Sequence, residues 1–140
     1  MKPMPQIQKF MTTLPTTVAE STPLTTAIDL MRTNRIRHLP VLSPEGGLVG
    51  ILSDRDVKLA SSFQGAAEMT AGDVMTPEPY SVFPDAPIDR VVLEMAERKY
   101  GCAVVIQANG KVVGIFTAND GLRVLGEQLP EFYRETTPTI

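Results

Sequence analysis

The hydrophobic positions of this chain follow the same order twice. In the first copy, apolar residues at helical spacing (i, i+3, i+4, i+7) begin at Leu24 and end at Met31. In the second copy the same spacing begins at Ile88 and ends at Met95, 64 positions later. Spacing of this kind places the apolar side chains on one face of a helix. The pattern therefore predicts two equivalent helices, each with one buried face.

Two continuous apolar runs follow each of these helices, with a turn between them. The runs cover residues 39–42 and 48–52 in the first copy, and 103–106 and 112–116 in the second. The turn of the second copy contains Asn109-Gly110, which is a strong hairpin signal. Because the runs lack a clean alternation of apolar and polar residues, we expect strands that are covered on both faces.

The two copies align without a gap over residues 10–60 and 74–124, with identical residues at twelve of the 51 pairs. In each copy a short strand precedes the first helix, and a second helix follows the hairpin, ending near residue 62 or 125. This order predicts a mixed α+β fold of two pseudo-symmetric repeats, each a small sheet packed against two helices. The predicted boundaries are an N-terminal extension outside the core at 1–9, repeat one at 10–62, a linker at 63–73, repeat two at 74–125 and a C-terminal tail at 126–140.

Three local features carry further expectations. Thr22 and Pro23 are typical of a helix start, with the threonine hydroxyl as the cap. Pro40 lies inside a predicted strand and lacks an N–H group, which indicates a sheet edge or a bulge. Gly50 and Gly114 occupy equivalent positions near the ends of two strands, where the absence of a side chain lets backbone and ligand approach closely.

Composition and charge argue against several classes of function. The net charge of −3 does not favour binding to DNA or RNA, which are polyanions. No run of residues approaches the ~20 apolar residues that are needed to span a bilayer. No apolar segment typical of a secretion signal follows Met1. With a single histidine, His38, and a single cysteine, Cys102, neither a metal site nor a catalytic cysteine–histidine pair is favoured. We therefore expect a cytoplasmic protein that is not an enzyme, needs no cofactor and binds no metal, membrane or nucleic acid.

A hydroxyl residue follows each hairpin, with an aspartate three positions later: Ser53 with Asp56, and Thr117 with Asp120. One interpretation is a helix cap, in which the hydroxyl accepts a backbone N–H and the carboxylate reaches back. The other is a ligand site. Helix N-terminal N–H groups and a hydroxyl suit a phosphate, and a carboxylate accepts two hydrogen bonds from a vicinal diol such as that of ribose. The residues alone leave both interpretations open.

The order of these elements and motifs resembles a tandem pair of CBS domains (cystathionine β-synthase domains) over about residues 10–125. The resemblance is carried by Arg-His-Leu-Pro-Val at 37–41, by [Ser/Thr]-x-x-Asp in both copies, and by Val-Met-Thr-Pro at 74–77 with its counterpart Phe-Met-Thr-Thr at 10–13. It implies two clefts between the repeats that bind AMP, ADP, ATP or S-adenosylmethionine. It also implies a homodimer, formed through the helices that start at Leu24 and Ile88.

The resemblance further implies a role for each matching position. Asp56 and Asp120 would hold the ribose hydroxyls of the two sites, with Ser53 and Thr117 near the phosphates or ribose. The adenine pocket would be lined by His38, Leu39, Pro40, Ala103 and Val104. Thr17 and Ser81 would touch the base or ribose. The full implied set is Thr17, Arg37, His38, Leu39, Pro40, Ser53, Arg55, Asp56, Ser81, Ala103, Val104, Thr117, Asn119 and Asp120.

The two copies differ at the positions that would face a phosphate. The first copy has Arg37, His38, Arg55 and Lys58 where the second has Gly101, Cys102, Asn119 and Leu122. We therefore expect the Asp56 site to bind a nucleotide better than the Asp120 site.

Two functions remain open at this point. The first is a regulatory module that binds an adenine-containing ligand and acts on a partner protein that the sequence does not identify. The alternative is a structural dimerisation module whose clefts are vestigial. Replacement of Asp56 separates them, since a sensor loses its ligand whereas a scaffold loses only stability.

Overall fold

The computed structural model describes residues 2–133, which form two small sheets and five α-helices. The strands are β1 (Thr12–Thr13), β2 (Val18–Ala19), β3 (His38–Leu42), β4 (Leu48–Ser53), β5 (Thr76–Pro77), β6 (Ser81–Val82), β7 (Cys102–Ile106) and β8 (Val112–Thr117). The helices are α1 (Leu24–Asn34), α2 (Asp54–Ser61), α3 (Ala71–Val74), α4 (Ile88–Arg98) and α5 (Ala118–Phe132). This architecture confirms the predicted mixed α+β fold of two similar halves.

The two four-stranded sheets have the same topology. The first has the order β2-β3-β4-β5 and the second the order β6-β7-β8-β1. In each sheet the short strand before the first helix runs parallel to the first hairpin strand, and the hairpin itself is antiparallel. The register shifts at Val41/Leu42 in one hairpin and at the equivalent Val105/Ile106 in the other. The sequence repeat therefore extends to the details of strand pairing.

Each sheet takes its last strand from the beginning of the other repeat. We call residues 5–13 and 69–77 the first and second lead-ins. The first lead-in supplies β1, which pairs with β8 of the second half, and the second supplies β5, which pairs with β4 of the first half. The chain therefore passes from one half to the other through two crossing segments, residues 14–17 and 78–80.

The lead-ins dock through matching hydrogen bonds. Ile7 N–H donates to the Ala86 carbonyl at 2.8 Å, and Ala71 N–H donates to the Thr22 carbonyl at 2.8 Å. Ile7 is fully buried and packs in the core of the second half. The expectation that residues 1–9 lie outside the core was wrong. Ile7 is flanked by polar and proline residues in the sequence, but its own apolar side chain packs in the core.

A methionine of each lead-in lies over a glycine of the sheet that the lead-in joins. Met11 lies over Gly114, and Met75 lies over Gly50. A Cβ atom on either glycine would overlap the methionine sulfur and lie 2.9 Å from the methionine Cγ. The two glycines were expected to allow a close approach, and it is the methionine of the lead-in that makes it, since only a residue without Cβ leaves room.

The helix ends differ in two places from the sequence-based prediction. α1 begins without a side-chain cap, and the Thr22 hydroxyl instead accepts the N–H of Ala19 at 3.0 Å. α5 continues to Phe132 with Pro130 inside it, so the first part of the predicted tail is helical; residues 134–140 of that tail lie outside the described residues. None of the helices within residues 2–133 is long and apolar enough to cross a membrane.

Substitution of Gly114 by alanine tests the docking of the first lead-in. Gly114→Ala is expected to lower the free energy of unfolding by about 1–3 kcal/mol, because the new Cβ must displace Met11 from a packed position. Urea denaturation measures the change, and the additional substitution Met11→Ala is expected to restore part of it.

Gly47→Ala is the matched control. Its Cβ would meet only the Ser43 Oγ at 3.7 Å, an ordinary contact, so the free energy of unfolding should stay within about 0.5 kcal/mol. Equal effects of Gly114→Ala and Gly47→Ala would contradict this role of the methionine–glycine contact.

Candidate functional site: a cavity between the two halves

Both hydroxyl–aspartate junctions form helix caps. Thr117 Oγ1 accepts the N–H of Asp120 at 3.2 Å, and Asp120 Oδ2 accepts the N–H of Thr117 at 2.9 Å. Ser53 Oγ accepts the N–H of Asp56 at 3.1 Å, whereas Asp56 Oδ2 accepts the hydroxyl of Thr76 at 3.4 Å. The cap interpretation is therefore correct. It does not displace the ligand interpretation, because a carboxylate retains further lone pairs after one or two hydrogen bonds.

A cavity of about 530 Å³ opens at the Asp120 junction. Its volume is within the range of small-molecule sites, and its walls come from both halves of the molecule. One wall is the first lead-in and crossing segment, the second is the connection between α1 and β3, and the third is the junction of β8 with α5. The lining residues are Thr12, Leu14, Pro15, Thr16, Asn34, Arg35, Ile36, Arg37, His38, Gly101, Ile115, Thr117, Ala118, Asn119, Asp120 and Arg123.

Positive charge predominates on the cavity wall. Arg35, Arg37 and Arg123 line it together with a single carboxylate, Asp120. Arg123 Nη1 lies 3.2 Å from Asp120 Oδ1, and the Asp120 side chain is only 13% exposed. With three guanidinium groups and one carboxylate, the wall suits an anionic ligand, and guanidinium donors match phosphate oxygens in pairs.

Arg37 and His38 lie in the cavity with Asp120, although they belong to the same repeat as Asp56. The sequence-based preference for the Asp56 site treated Arg37 and His38 as residues that face a phosphate there, whereas the structure also places them on the wall of the Asp120 cavity. At the positions equivalent to the three arginines, the Asp56 side carries Lys99, Gly101 and Leu59. At these three positions the Asp56 side therefore keeps one positive charge, while Arg55 and Lys58 lie in its helix α2.

The imidazole of His38 packs directly against the backbone of the other half. A Cβ atom on Gly101 would lie 2.7 Å from His38 Nε2. Burial of the ring, together with the charge of Arg37, lowers the pKa of His38, and this outweighs the opposite effect of Asp54 and Asp56. The imidazole is thus mainly neutral at pH 7 in the ligand-free protein.

Leu14 extends over the cavity from a strained turn. Its backbone has a φ of 47° and its side chain is 82% exposed, and left-handed backbone costs a leucine roughly 1–2 kcal/mol. The equivalent Glu78 has a φ of 52°. The path from lead-in to crossing segment therefore imposes this turn in both copies, and at the Asp120 cavity it places an apolar side chain on the wall.

The two crossing segments differ in one backbone hydrogen bond. In the second half, Val104 N–H donates to the Tyr80 carbonyl at 3.0 Å. The equivalent residue of the first half is Pro40, which has no N–H, so the carbonyl of Thr16 receives no such bond. Pro40 is tolerated in β3 because β2 pairs only with the two residues that follow it. Thr16, a lining residue of the Asp120 cavity, thus has a carbonyl that the neighbouring strand does not use.

Five of the predicted site residues lie together at the Asp120 cavity: Arg37, His38, Thr117, Asn119 and Asp120. The other predicted site residues lie elsewhere. Leu39, Pro40, Ala103 and Val104 are buried inside β3 and β7. Ser53, Arg55 and Asp56 belong to the opposite junction, and Ser81 pairs with Val104 in the sheet. Thr17 lines a second cavity, of about 540 Å³, that shares Leu14 and Pro15 with the first.

Sequence reasoning named five of the sixteen lining residues as site residues; among the eleven it missed are Leu14, Thr16, Arg35 and Arg123. A signal existed for Arg123, which follows Asp120 by three positions and so shares its helix face. No local pattern identified the other three, because they reach the cavity only through the passage of the chain between the halves.

Cys102 is unsuited to nucleophilic chemistry. Its side chain is buried, and burial raises the pKa of the thiol to about 12. The thiolate, which is the reactive form, is therefore scarce at neutral pH. Among residues 2–133, no group of three or more His, Cys, Asp or Glu side chains is placed to hold a metal ion.

The fold and its duplicated junctions are those of a known family. The family model described as "CBS domain" matches residues 7–62 and again residues 71–127. The chain therefore belongs to the CBS domain family and contains two copies of the domain. Both matches begin inside the lead-ins, which agrees with the docking of those segments into the two cores.

Two solved structures and one curated relative show what the chain is similar to. The CBS domain pair of protein MJ0100, solved with 5-methylthioadenosine and S-adenosyl-L-methionine, is 27% identical with a TM-score of 0.80, covering 90% of this chain and 99% of that one. CBSX2 from Arabidopsis thaliana, solved with AMP, is 28% identical with a TM-score of 0.75, covering 87% and 96%. Homoserine O-acetyltransferase of Methanococcus vannielii is 29% identical over 115 residues, which are 81% of this chain and 23% of that protein. The chain spans about a quarter of the length of the first curated relatives it matches.

The lowered pKa of His38 predicts a pH dependence of stability. In the pH range between the folded pKa and the unfolded value of 6.5, the unfolded state binds more protons. The free energy of unfolding should therefore fall as the pH is lowered through about 6.5. His38→Gln is expected to flatten the profile in this range, as measured by urea denaturation between about pH 7.5 and 5.5. Since His38 is the only histidine, an identical slope in His38→Gln would refute this assignment.

Proposed function

We propose that this chain binds an adenine nucleotide in the Asp120 cavity and acts as a regulatory module. The observation that carries the proposal is the convergence of Arg35, Arg37 and Arg123 on a cavity that also contains the capped carboxylate of Asp120. The ligands of the two solved relatives support it, because AMP, methylthioadenosine and S-adenosylmethionine all contain adenosine.

In this proposal the carboxylate of Asp120 accepts the two ribose hydroxyls. Thr117 N–H and Arg123 already hold its two oxygens, so the carboxylate is oriented before the ligand arrives, which reduces the ordering cost of binding. The adenine amino group donates to the carbonyl of Thr16, and Leu14 covers a face of the base.

The phosphate is assigned to the arginine-rich wall beside His38. This assignment favours AMP, ADP or ATP over S-adenosylmethionine, whose sulfonium is positively charged, and over methylthioadenosine, which carries no phosphate. A phosphate close to His38 would stabilise the imidazolium form and so raise the pKa that burial lowers.

A ligand in this cavity contacts both halves of the molecule. It would therefore favour one arrangement of the halves over another, and a regulatory effect requires that its affinity for the two arrangements differ. We propose that a partner protein detects this difference.

The caps at both junctions favour a second candidate function, a dimerisation module with vestigial clefts. The binding experiment below separates the two functions.

We further propose that a second copy of the chain covers an apolar face on α4 and α5. Leu122, Leu125 and Leu129 recur along one side of α5 and are 66%, 54% and 42% exposed, and Leu93 of α4, a helix that packs against α5, is 66% exposed. α1 exposes no large apolar side chain, so α4 and α5 are better supported as the interface than the expected pair of α1 and α4. A twofold interface needs only one self-complementary patch.

Asparagine substitutions at the two aspartates test the binding site. Asp120→Asn keeps an oxygen that can cap Thr117, but it loses the charge that strengthens hydrogen bonds to a diol. It is expected to weaken AMP binding by about tenfold or more, as measured by isothermal titration calorimetry. Asp56→Asn, at the equivalent position of the other junction, is the matched control and should leave the affinity unchanged.

The phosphate assignment has its own test. Arg37→Gln should weaken binding of AMP much more than binding of adenosine, and added salt should weaken AMP binding in the wild type. If neither AMP, ADP nor ATP raises the melting temperature, and both aspartate variants merely melt earlier, the vestigial-cleft alternative is correct.

The dimer is tested by charge substitution on the apolar face. Wild-type protein is expected to sediment as a dimer, and Leu122→Glu/Leu125→Glu as a monomer, because two buried carboxylates would lack partners at the interface. Thr33→Glu, on the exposed side of α1, is the control and should remain dimeric. A monomeric wild type, or a dimer lost in Thr33→Glu alone, would contradict the proposed interface.

A further inference from the structure

The Asp120 cavity has a counterpart at Asp56, because every residue of its wall has an equivalent 64 positions away in the chain. The backbone of the two sites is the same even in its unusual features: the left-handed Leu14 matches Glu78, and the left-handed Arg35 matches Lys99. Differences between the two sites therefore arise from side chains.

Two tyrosines occupy the Asp56 side at positions that line the open cavity on the Asp120 side. Tyr80 is equivalent to Thr16, and Tyr100 is equivalent to Ile36. The two tyrosine rings stack on each other, with centroids 5.0 Å apart and ring planes inclined by 22°. Tyr80 is also packed against the core of the second half. A small hydroxyl residue and an aliphatic side chain are thus replaced by a continuous aromatic stack.

The groups that would bind a nucleotide at Asp56 are already engaged or missing. The Tyr80 carbonyl accepts the N–H of Val104 at 3.0 Å, whereas the equivalent Thr16 carbonyl faces Pro40, which has no N–H. The Asp56 cleft also lacks one of the guanidinium groups assigned to the phosphate. Leu59 occupies the position equivalent to Arg123, which forms an ion pair with Asp120 in the Asp120 cavity.

We propose that the Tyr80–Tyr100 stack closes the Asp56 cleft, so that each chain holds one adenine nucleotide although its sequence carries two binding motifs. This inference rests on the proposed function of the Asp120 cavity. It assigns Tyr80 and Tyr100 as the residues that determine the binding stoichiometry. The stack fills the space of the base, and the loss of a guanidinium at Leu59 removes a phosphate partner from the same cleft.

The test transfers the residues of the open cavity to the closed cleft. Leu59→Arg/Tyr80→Thr/Tyr100→Ile gives the Asp56 side the residues found at Arg123, Thr16 and Ile36. Isothermal titration calorimetry with AMP is expected to give one site per chain for the wild type and two for this variant. Leu59→Arg alone and Tyr80→Phe, which keeps the aromatic ring, are the controls and should each retain one site.

The outcomes separate this inference from the proposed function. Two sites in the wild type, two in Leu59→Arg alone, or one in the folded triple variant would overturn the role of the tyrosines while leaving Asp120 as a nucleotide site. Circular dichroism and the retention of the Asp120-dependent site establish that the variant is folded. A wild type that binds no AMP at any tested concentration would overturn the proposed function, and this inference with it.

Discussion

Two methionine–glycine contacts hold the lead-ins in place, and the arrangement of the whole molecule depends on them. Met11 packs over Gly114 and Met75 packs over Gly50, each where a Cβ atom would prevent the approach. The contacts allow β1 and β5 to complete the sheets of the opposite halves. Neither half has its full sheet without a strand from the beginning of the other repeat, so the two halves are expected to fold as one cooperative unit.

The exchange of lead-ins also determines where the cavity between the halves lies. The chain crosses between the halves directly after each lead-in, so the clefts form between the halves and combine residues of both. This explains why Arg37 lines the same cavity as the aspartate of the other repeat. In the function proposed above, the duplicated backbone provides two clefts and side-chain differences decide their use: arginines and an unused carbonyl at Asp120, and a tyrosine stack with an engaged carbonyl at Asp56.

The sequence was informative wherever local periodicity decides the structure. Helical spacing from Leu24 and from Ile88 located α1 and α4, and Asn109-Gly110 located a hairpin. Sequence-based prediction failed where the position of a residue depends on a contact between segments that are far apart in the chain. Ile7 looked peripheral because its neighbours are polar, although its side chain fills the other core. The position of Arg37 on the wall of the Asp120 cavity was missed for the same reason, since proximity in the chain favoured Asp56.

The measurement that tests the central claim most directly is a crystal structure of the chain grown with AMP in excess. The account predicts density for one nucleotide per chain, with its ribose against the carboxylate of Asp120, its phosphate beside Arg37, and the Tyr80–Tyr100 stack unchanged. A nucleotide bound at Asp56 with the tyrosines displaced, and an empty cavity at Asp120, would contradict the account.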